Sequence, residues 1–177
     1  MSTTAIATLI YLRDSQGRVC LARKNGNIHK GGQELKGSKE RWNGYGGKEE
    51  HEDLSIRGTA LRELHEESGV EALEEDLDLV GHISFFWPDN TSLDPDMVVW
   101  CFFLSKFVGQ PRDVGGGMGE PVFFIHEEIP YHEMLPADRL FLPRFIAGEK
   151  LTWDIYLGER DEHGNVRYVD KKTIPVL

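Results

Sequence analysis

With 177 residues, 40% of them hydrophobic and 28% charged, the chain has the size and composition of one soluble globular domain, spanning residues 1–177. Its 30 acidic and 20 basic residues leave a net charge of −10, which argues against a nucleic-acid polymer as partner but not against a small phosphorylated ligand bridged by a divalent metal. Residues 5–12 are apolar but too short to cross a bilayer and lack a basic leader, so no membrane partner is expected and the expected compartment is the cytoplasm.

In chain order, residues 4–12 read as a strand buried on both faces and residues 18–23 as its hairpin partner, joined by Asp14-Ser15-Gln16-Gly17. Residues 24–41 carry four glycines and several lysines with hardly an apolar anchor, and read as a flexible loop insertion, either a solvated excursion or a flap that brings cations to a polyphosphate. A helix is predicted from about Leu54, with Ser55 as N-cap and Gly69 as a left-handed C-cap. Strands follow over 77–87 and 97–107. Gly115-Gly116-Gly117-Met118-Gly119 lacks the lysine of a phosphate-binding loop and reads as a flexible connection. A short strand at 121–125, a turn at 126–130, a helix over 138–147 containing Pro143, and strands at 152–158 and 166–170 around a polar loop complete an α/β fold. Cys20 and Cys101 lie in apolar runs without metal-ligand spacing and read as buried free thiols.

The chemistry is concentrated in the first helix. On a 3.6-residue turn Glu63, Glu66 and Glu67 share one face, near a helix C-terminus where both mutual repulsion and the macrodipole oppose them. A hard divalent cation relieves both penalties, and carboxylate oxygens suit magnesium or manganese. Upstream, Gly46-Gly47-Lys48 lets backbone approach a ligand closely, with a carbonyl free to face a metal.

Taken together, Gly47 and Arg62-Glu63-Leu64-His65-Glu66-Glu67-Ser68-Gly69-Val70 resemble the Nudix box, G-x5-E-x7-R-E-U-x-E-E-x-G-U, in which U is a bulky aliphatic residue. Between Gly47 and Arg62 the chain holds one residue more than the pattern, so Leu54 or Asp53 falls in the first-glutamate slot depending on the end from which one counts. In the family that acid braces the arginine. Asp53 or Glu52 is expected to reach Arg62, with Leu54 packed on apolar neighbours.

Beyond the box, Arg41-Trp42-Asn43-Gly44-Tyr45-Gly46-Gly47-Lys48, Val80-Gly81-His82-Ile83 and the segment from Ile129 to Asp138 are similar to the human-type 8-oxo-dGTP diphosphatase branch of that superfamily. The resemblance implies an α/β/α sandwich with a mixed sheet and a pyrophosphohydrolase acting on a nucleoside triphosphate such as 8-oxo-dGTP. Mg2+, or Mn2+, would be held by Glu63, Glu67 and the Gly46 carbonyl, with Glu66 a further ligand or the general base. Glu120 is a second candidate base, and Arg62 an organiser of the carboxylates. Asn43 and Asp138 stand at base-contacting positions. Leu135 and Ala137 replace the branch's stacking tryptophan and first aspartate, so Phe85, Trp87 or the 24–40 segment are candidates for the missing pocket chemistry. Two other readings stay open: action on a nucleotide sugar or dinucleoside polyphosphate, and a catalytically silent binding module. The sequence leaves monomer or dimer undetermined.

Overall fold

The computed structural model describes residues 4–24, 28–30, 33–35, 40–160 and 166–175. Its centre is strand β1 (Ala5–Arg13), which pairs with β2 (Val19–Lys24) through Leu12↔Cys20 and Arg13↔Val19. Further strands are β3 (Ile28–Lys30), β4 (Gln33–Leu35), β5 (Arg41–Asn43), β6 (Leu77–Phe86), β7 (Met97–Leu104), β8 (Val122–Phe124), β9 (Leu151–Arg160) and β10 (Val166–Pro175). The eight-stranded sheet runs β10-β9-β6-β7-β1-β2-β5, with β8 also on β2. It is mixed, because β1 with β7 and β6 with β9 are parallel pairs and the others antiparallel.

Strand alternation divides the core into two layers. Ala7, Leu9 and Tyr11 of β1 join Phe141, Leu142 and Phe145 of helix α2 (Asp138–Ile146) on one face. Ile10 and Leu12 join Ala60 and Leu64 of helix α1 (Ile56–Ser68) on the other. The expected α/β/α sandwich follows from that two-sided burial, which leaves β1 apolar at nearly every position. Cys20 and Cys101 are buried free thiols, as their settings implied.

Beyond its turn with β2, β1 changes partner. Residues 45–49 lie antiparallel along it, with Ile10 and Tyr45 exchanging hydrogen bonds (2.6 and 2.9 Å), the Thr8 N–H donating to the Gly47 carbonyl (2.8 Å) and Glu49 to Ile6 (3.0 Å). A Cβ on Gly46, whose φ is 146°, would collide with the Thr8 carbonyl, so only glycine permits this close run.

Three expectations need correction. The 24–41 segment is not loop throughout: Lys24 ends β2, Arg41 begins β5, and β3 pairs with β4 between them; residues 25–27, 31–32 and 36–39 lie outside the described set. A three-residue strand carries no readable alternation, so the sequence does not mark β3 or β4. The 115–119 connection is pinned at Gly116 and Met118, although a Cβ on Gly115 or Gly117 would meet nothing within 4 Å. A Cβ on Gly116 would strike the Glu66 carbonyl, and Met118 is buried in the core cluster that also holds Tyr45, Ala60 and Leu64. Leu54 does not pack on apolar neighbours: the residue is fully exposed. Residues 161–165, within the predicted polar loop, lie outside the described residues.

Among the described residues no helix is long and apolar enough to cross a membrane.

Candidate active site

Helix α1 starts where Ser55 Oγ accepts the Gly58 N–H (2.9 Å) and stops at Gly69, whose φ of 71° is the left-handed cap conformation. Its buried stripe, Ala60, Leu64, Glu67 and Ser68, has helical spacing, so Glu67 occupies a core-facing position. The three glutamates are graded around the helix: side-chain exposure is 6% for Glu67, 15% for Glu63 and 55% for Glu66.

A buried carboxylate requires compensation, and Glu67 obtains it from two directions. Its Oε2 accepts the Gly46 N–H (2.8 Å), and its Oε1 accepts from Lys24 Nζ (3.0 Å), which also donates to the Gly46 carbonyl (2.8 Å). Burial pushes the Glu67 pKa up; the Lys24 charge and the Gly46 hydrogen bond oppose the shift, and neighbouring Glu63 adds to it. Glu63 lies against Gly47, where a Cβ would collide with its carboxylate. Glycine at 46 serves the strand approach; at 47 it makes room for an acid.

Arg62 gathers the remaining acids. Its Nε and Nη2 grip Asp53 Oδ1 and Oδ2 in a two-pronged pair (2.9 and 2.9 Å), Nη2 also donates to the Lys48 carbonyl (3.0 Å), and Nη1 reaches Glu63 (3.0 Å) and Glu66 (3.2 Å). Asp53, rather than Glu52, is therefore the brace. The extra residue is absorbed in a turn closed by Asp53 N–H to the Glu50 carbonyl (3.1 Å) and Glu50 N–H to Asp53 Oδ2 (2.9 Å). That turn directs Asp53 inward and leaves Leu54 outside. The Arg62 hydrogen bonds hold the Asp53 carboxyl far below the usual carboxylate range.

Among the described residues, no three His, Cys, Asp or Glu side chains converge as a ready metal cage, since Arg62 draws Glu63 and Glu66 while Lys24 draws Glu67. The donor set nevertheless suits a divalent cation: a buried carboxylate and a backbone carbonyl already converge on one positive group, with Glu63 beside them.

The remaining candidates are distributed. Glu120 is exposed just beyond Gly119, whose N–H bonds the Arg23 carbonyl (2.8 Å), and its charge, after burial, Cys20 and Glu67, helps hold the Tyr45 proton in place. Asn43 lies on β5, its Oδ1 accepting the Gly44 N–H (2.9 Å). Asp138 is only 3% exposed; its Oδ2 accepts the Leu135 N–H (2.9 Å), and burial raises its pKa to about 7 against the opposing Leu135 bond and Arg41 charge. Leu135 is 45% exposed and Ala137 is buried. Arg41 links β5 to this corner by donating to the Met134 carbonyl (3.0 Å).

Phe85 packs on the α2-side core, and its ring lies 6.1 Å from that of Trp87. Trp87 lines an open depression with Asp89, Asn90, Thr91, Ser92, Asp94 and Asp96 that shares no residue with the glutamate cluster. Sequence reasoning overlooked Lys24 and also Trp42, whose ring packs edge-on against Phe124 (5.1 Å) and under Arg23 (4.8 Å). Trp42 was discoverable from its place beside Asn43; Lys24 had no local signal.

Residues 3–145 match the family model described as NUDIX domain. The chain belongs to the Nudix family. With its box residues in place it is a Nudix pyrophosphohydrolase, of a family that acts on small nucleotides and generally uses divalent metals. No curated protein matches the sequence significantly. Its Nudix fold is similar to solved structures of MutT from Bacillus halodurans (17% identity, 96% of this chain and 97% of that one, TM-score 0.68) and MutT from Methanosarcina mazei Go1 (19%, 83% and 96%, 0.61). It is similar also to the ORF135 protein of E. coli (21%, 82% and 90%, 0.60). At these identities the likeness concerns the Nudix fold alone.

Proposed function

We propose that this Nudix enzyme hydrolyses a purine nucleoside triphosphate, an oxidised one such as 8-oxo-dGTP included, to the monophosphate and pyrophosphate, in the cytoplasm and with Mg2+ or Mn2+. The observation that carries the reading is the convergence of the Glu67 carboxylate and the Gly46 carbonyl on one cationic group, beside Glu63, on the box helix. Glu63, Glu67 and Gly46 would hold the metal. When bound, the ion supplies charge neutralisation at phosphate and a lowered pKa for its water. Arg62, fixed by Asp53 and the Lys48 carbonyl, orients Glu63 and Glu66. Glu66, the most exposed of the three acids, takes the proton of the attacking water; Glu120 is the second candidate, and pH–rate profiles of Glu66→Gln and Glu120→Gln separate the two. Asn43 supplies a polar contact to the base, while Asp138, buried and holding the Leu135 N–H, shapes the corner behind it.

One observation favours a second reading. Leu135 presents an exposed aliphatic surface, and Asp138 is turned into the fold, which suits a nucleotide sugar or dinucleoside polyphosphate as well as a base-discriminating triphosphatase. A magnesium-dependent assay over nucleoside triphosphates, nucleotide sugars and dinucleoside polyphosphates, with products identified, tests both. Pyrophosphate release from a purine triphosphate supports the first, turnover confined to the other classes supports the second, and metal-independent or absent turnover removes both.

A further inference from the structure

Three elements converge on one ammonium. Lys24, the last residue of β2, reaches the Gly46 carbonyl (2.8 Å) and Glu67 Oε1 (3.0 Å), while the Gly46 N–H closes the triangle on Glu67 Oε2 (2.8 Å). These are the donor atoms assigned above to a divalent ion. An ammonium within hydrogen-bond distance of both oxygens fills the space that an ion bound to both would take, and two positive charges there repel. Glu67, at 6% side-chain exposure, needs a compensating cation whether or not metal is present. Arg62 is committed to Asp53, Lys48, Glu63 and Glu66. Lys24 combines this position with a flexible four-carbon stem and a side chain 39% exposed, so the ammonium has an open route to water.

We propose that Lys24 is the built-in counter-cation of the site: it bridges Glu67 and Gly46 in the metal-free protein and swings out when a divalent ion enters, so metal loading is an exchange of cations. The proposal rests on the reading of Glu67 and Gly46 as metal ligands. It has two consequences. Metal affinity is weaker than the same ligands would give without Lys24, and the metal-free fold keeps Glu67 compensated.

The test is manganese binding to the full chain, followed by the electron paramagnetic resonance of free Mn2+, in the wild type, Lys24→Met, Glu67→Gln and the double variant. Lys24→Met should bind Mn2+ about tenfold tighter or more, since a hydrogen bond to a charged group in a partly buried site is worth at least about a decade in affinity. Its melting temperature should also rise more on adding Mn2+ than that of the wild type. On the unaltered protein, the Nζ resonance of 15N-labelled Lys24 should shift as Mg2+ saturates the site, which keeps the proposal testable if Lys24→Met folds poorly.

Equal or weaker Mn2+ binding by a folded Lys24→Met, or a Lys24 Nζ signal indifferent to bound Mg2+, overturns the exchange while loss of binding in Glu67→Gln leaves the metal site standing. Glu67→Gln without effect on Mn2+ binding in either background overturns the metal reading and the exchange with it.

Discussion

Replacing Asp138 with asparagine should change how stability depends on pH. The carboxyl is 3% exposed, bonds the Leu135 N–H, and lies within electrostatic reach of Arg41, Tyr11, Tyr131 and Cys101. Burial raises its pKa from 3.8 to about 7. Between those values the folded state holds a proton that the unfolded chain has lost, so stability falls as pH rises through the window and becomes flat above it. Three units at 1.36 kcal/mol each give a loss of roughly 4 kcal/mol across the window. Asparagine does not titrate and can still accept from Leu135. Urea denaturation of both proteins at half-unit steps from pH 4 to pH 8 isolates the effect, because the other titrating groups are common to both. The wild type should lose about 4 kcal/mol relative to Asp138→Asn by pH 8, most of it by pH 7. A stability difference that stays constant from pH 4 to pH 8 would show that the carboxyl ionises normally, and would refute the desolvation argument.

Glu63→Gln and Glu67→Gln should each lower turnover about 100-fold or more at saturating magnesium with unchanged circular dichroism, because an amide cannot supply the lost charge. Near-wild-type rates in both would remove the metal assignment. Asp53→Asn should lower the melting temperature relative to wild type above about pH 4, with the difference vanishing as pH falls and the depressed Asp53 carboxyl becomes protonated in the wild type too; a difference persisting unchanged into strong acid contradicts the brace. The kcat/KM ratio for 8-oxo-dGTP over dGTP should stay below about 200, since Leu135 and Ala137 leave a mainly apolar site, and a ratio in the thousands would reveal polar contacts rebuilt elsewhere.

The local grammar of α1 was readable in one dimension. Ser55 and Gly69 cap the helix as their chemistry implies, and i, i+3 and i+4 spacing puts Glu63, Glu66 and Glu67 on one face. The apolar run of β1 likewise announced a strand buried on both sides, and with it a layered fold. The resemblance puts Asp138 and Asn43 at base-contacting positions. That Asp138 is buried at the first turn of α2 has no mark in the sequence, because its burial depends on Arg41 of β5, the 131–135 turn and the sheet coming together.

What the linear order determined, then, is whatever depends on residues within about two helical turns or one strand. Which acid braces Arg62 depended on how the 50–53 turn absorbs an extra residue, and Asp53 went inward while Leu54 went to solvent. The run of 45–49 along β1, the packing of Gly116 on α1, and the meeting of Lys24 with Glu67, 43 positions later, are long-range contacts. Such contacts exist only once the sheet has brought distant strands side by side. The sequence supplied a negatively charged helix face; the tertiary structure decided which cations of the chain itself would answer it.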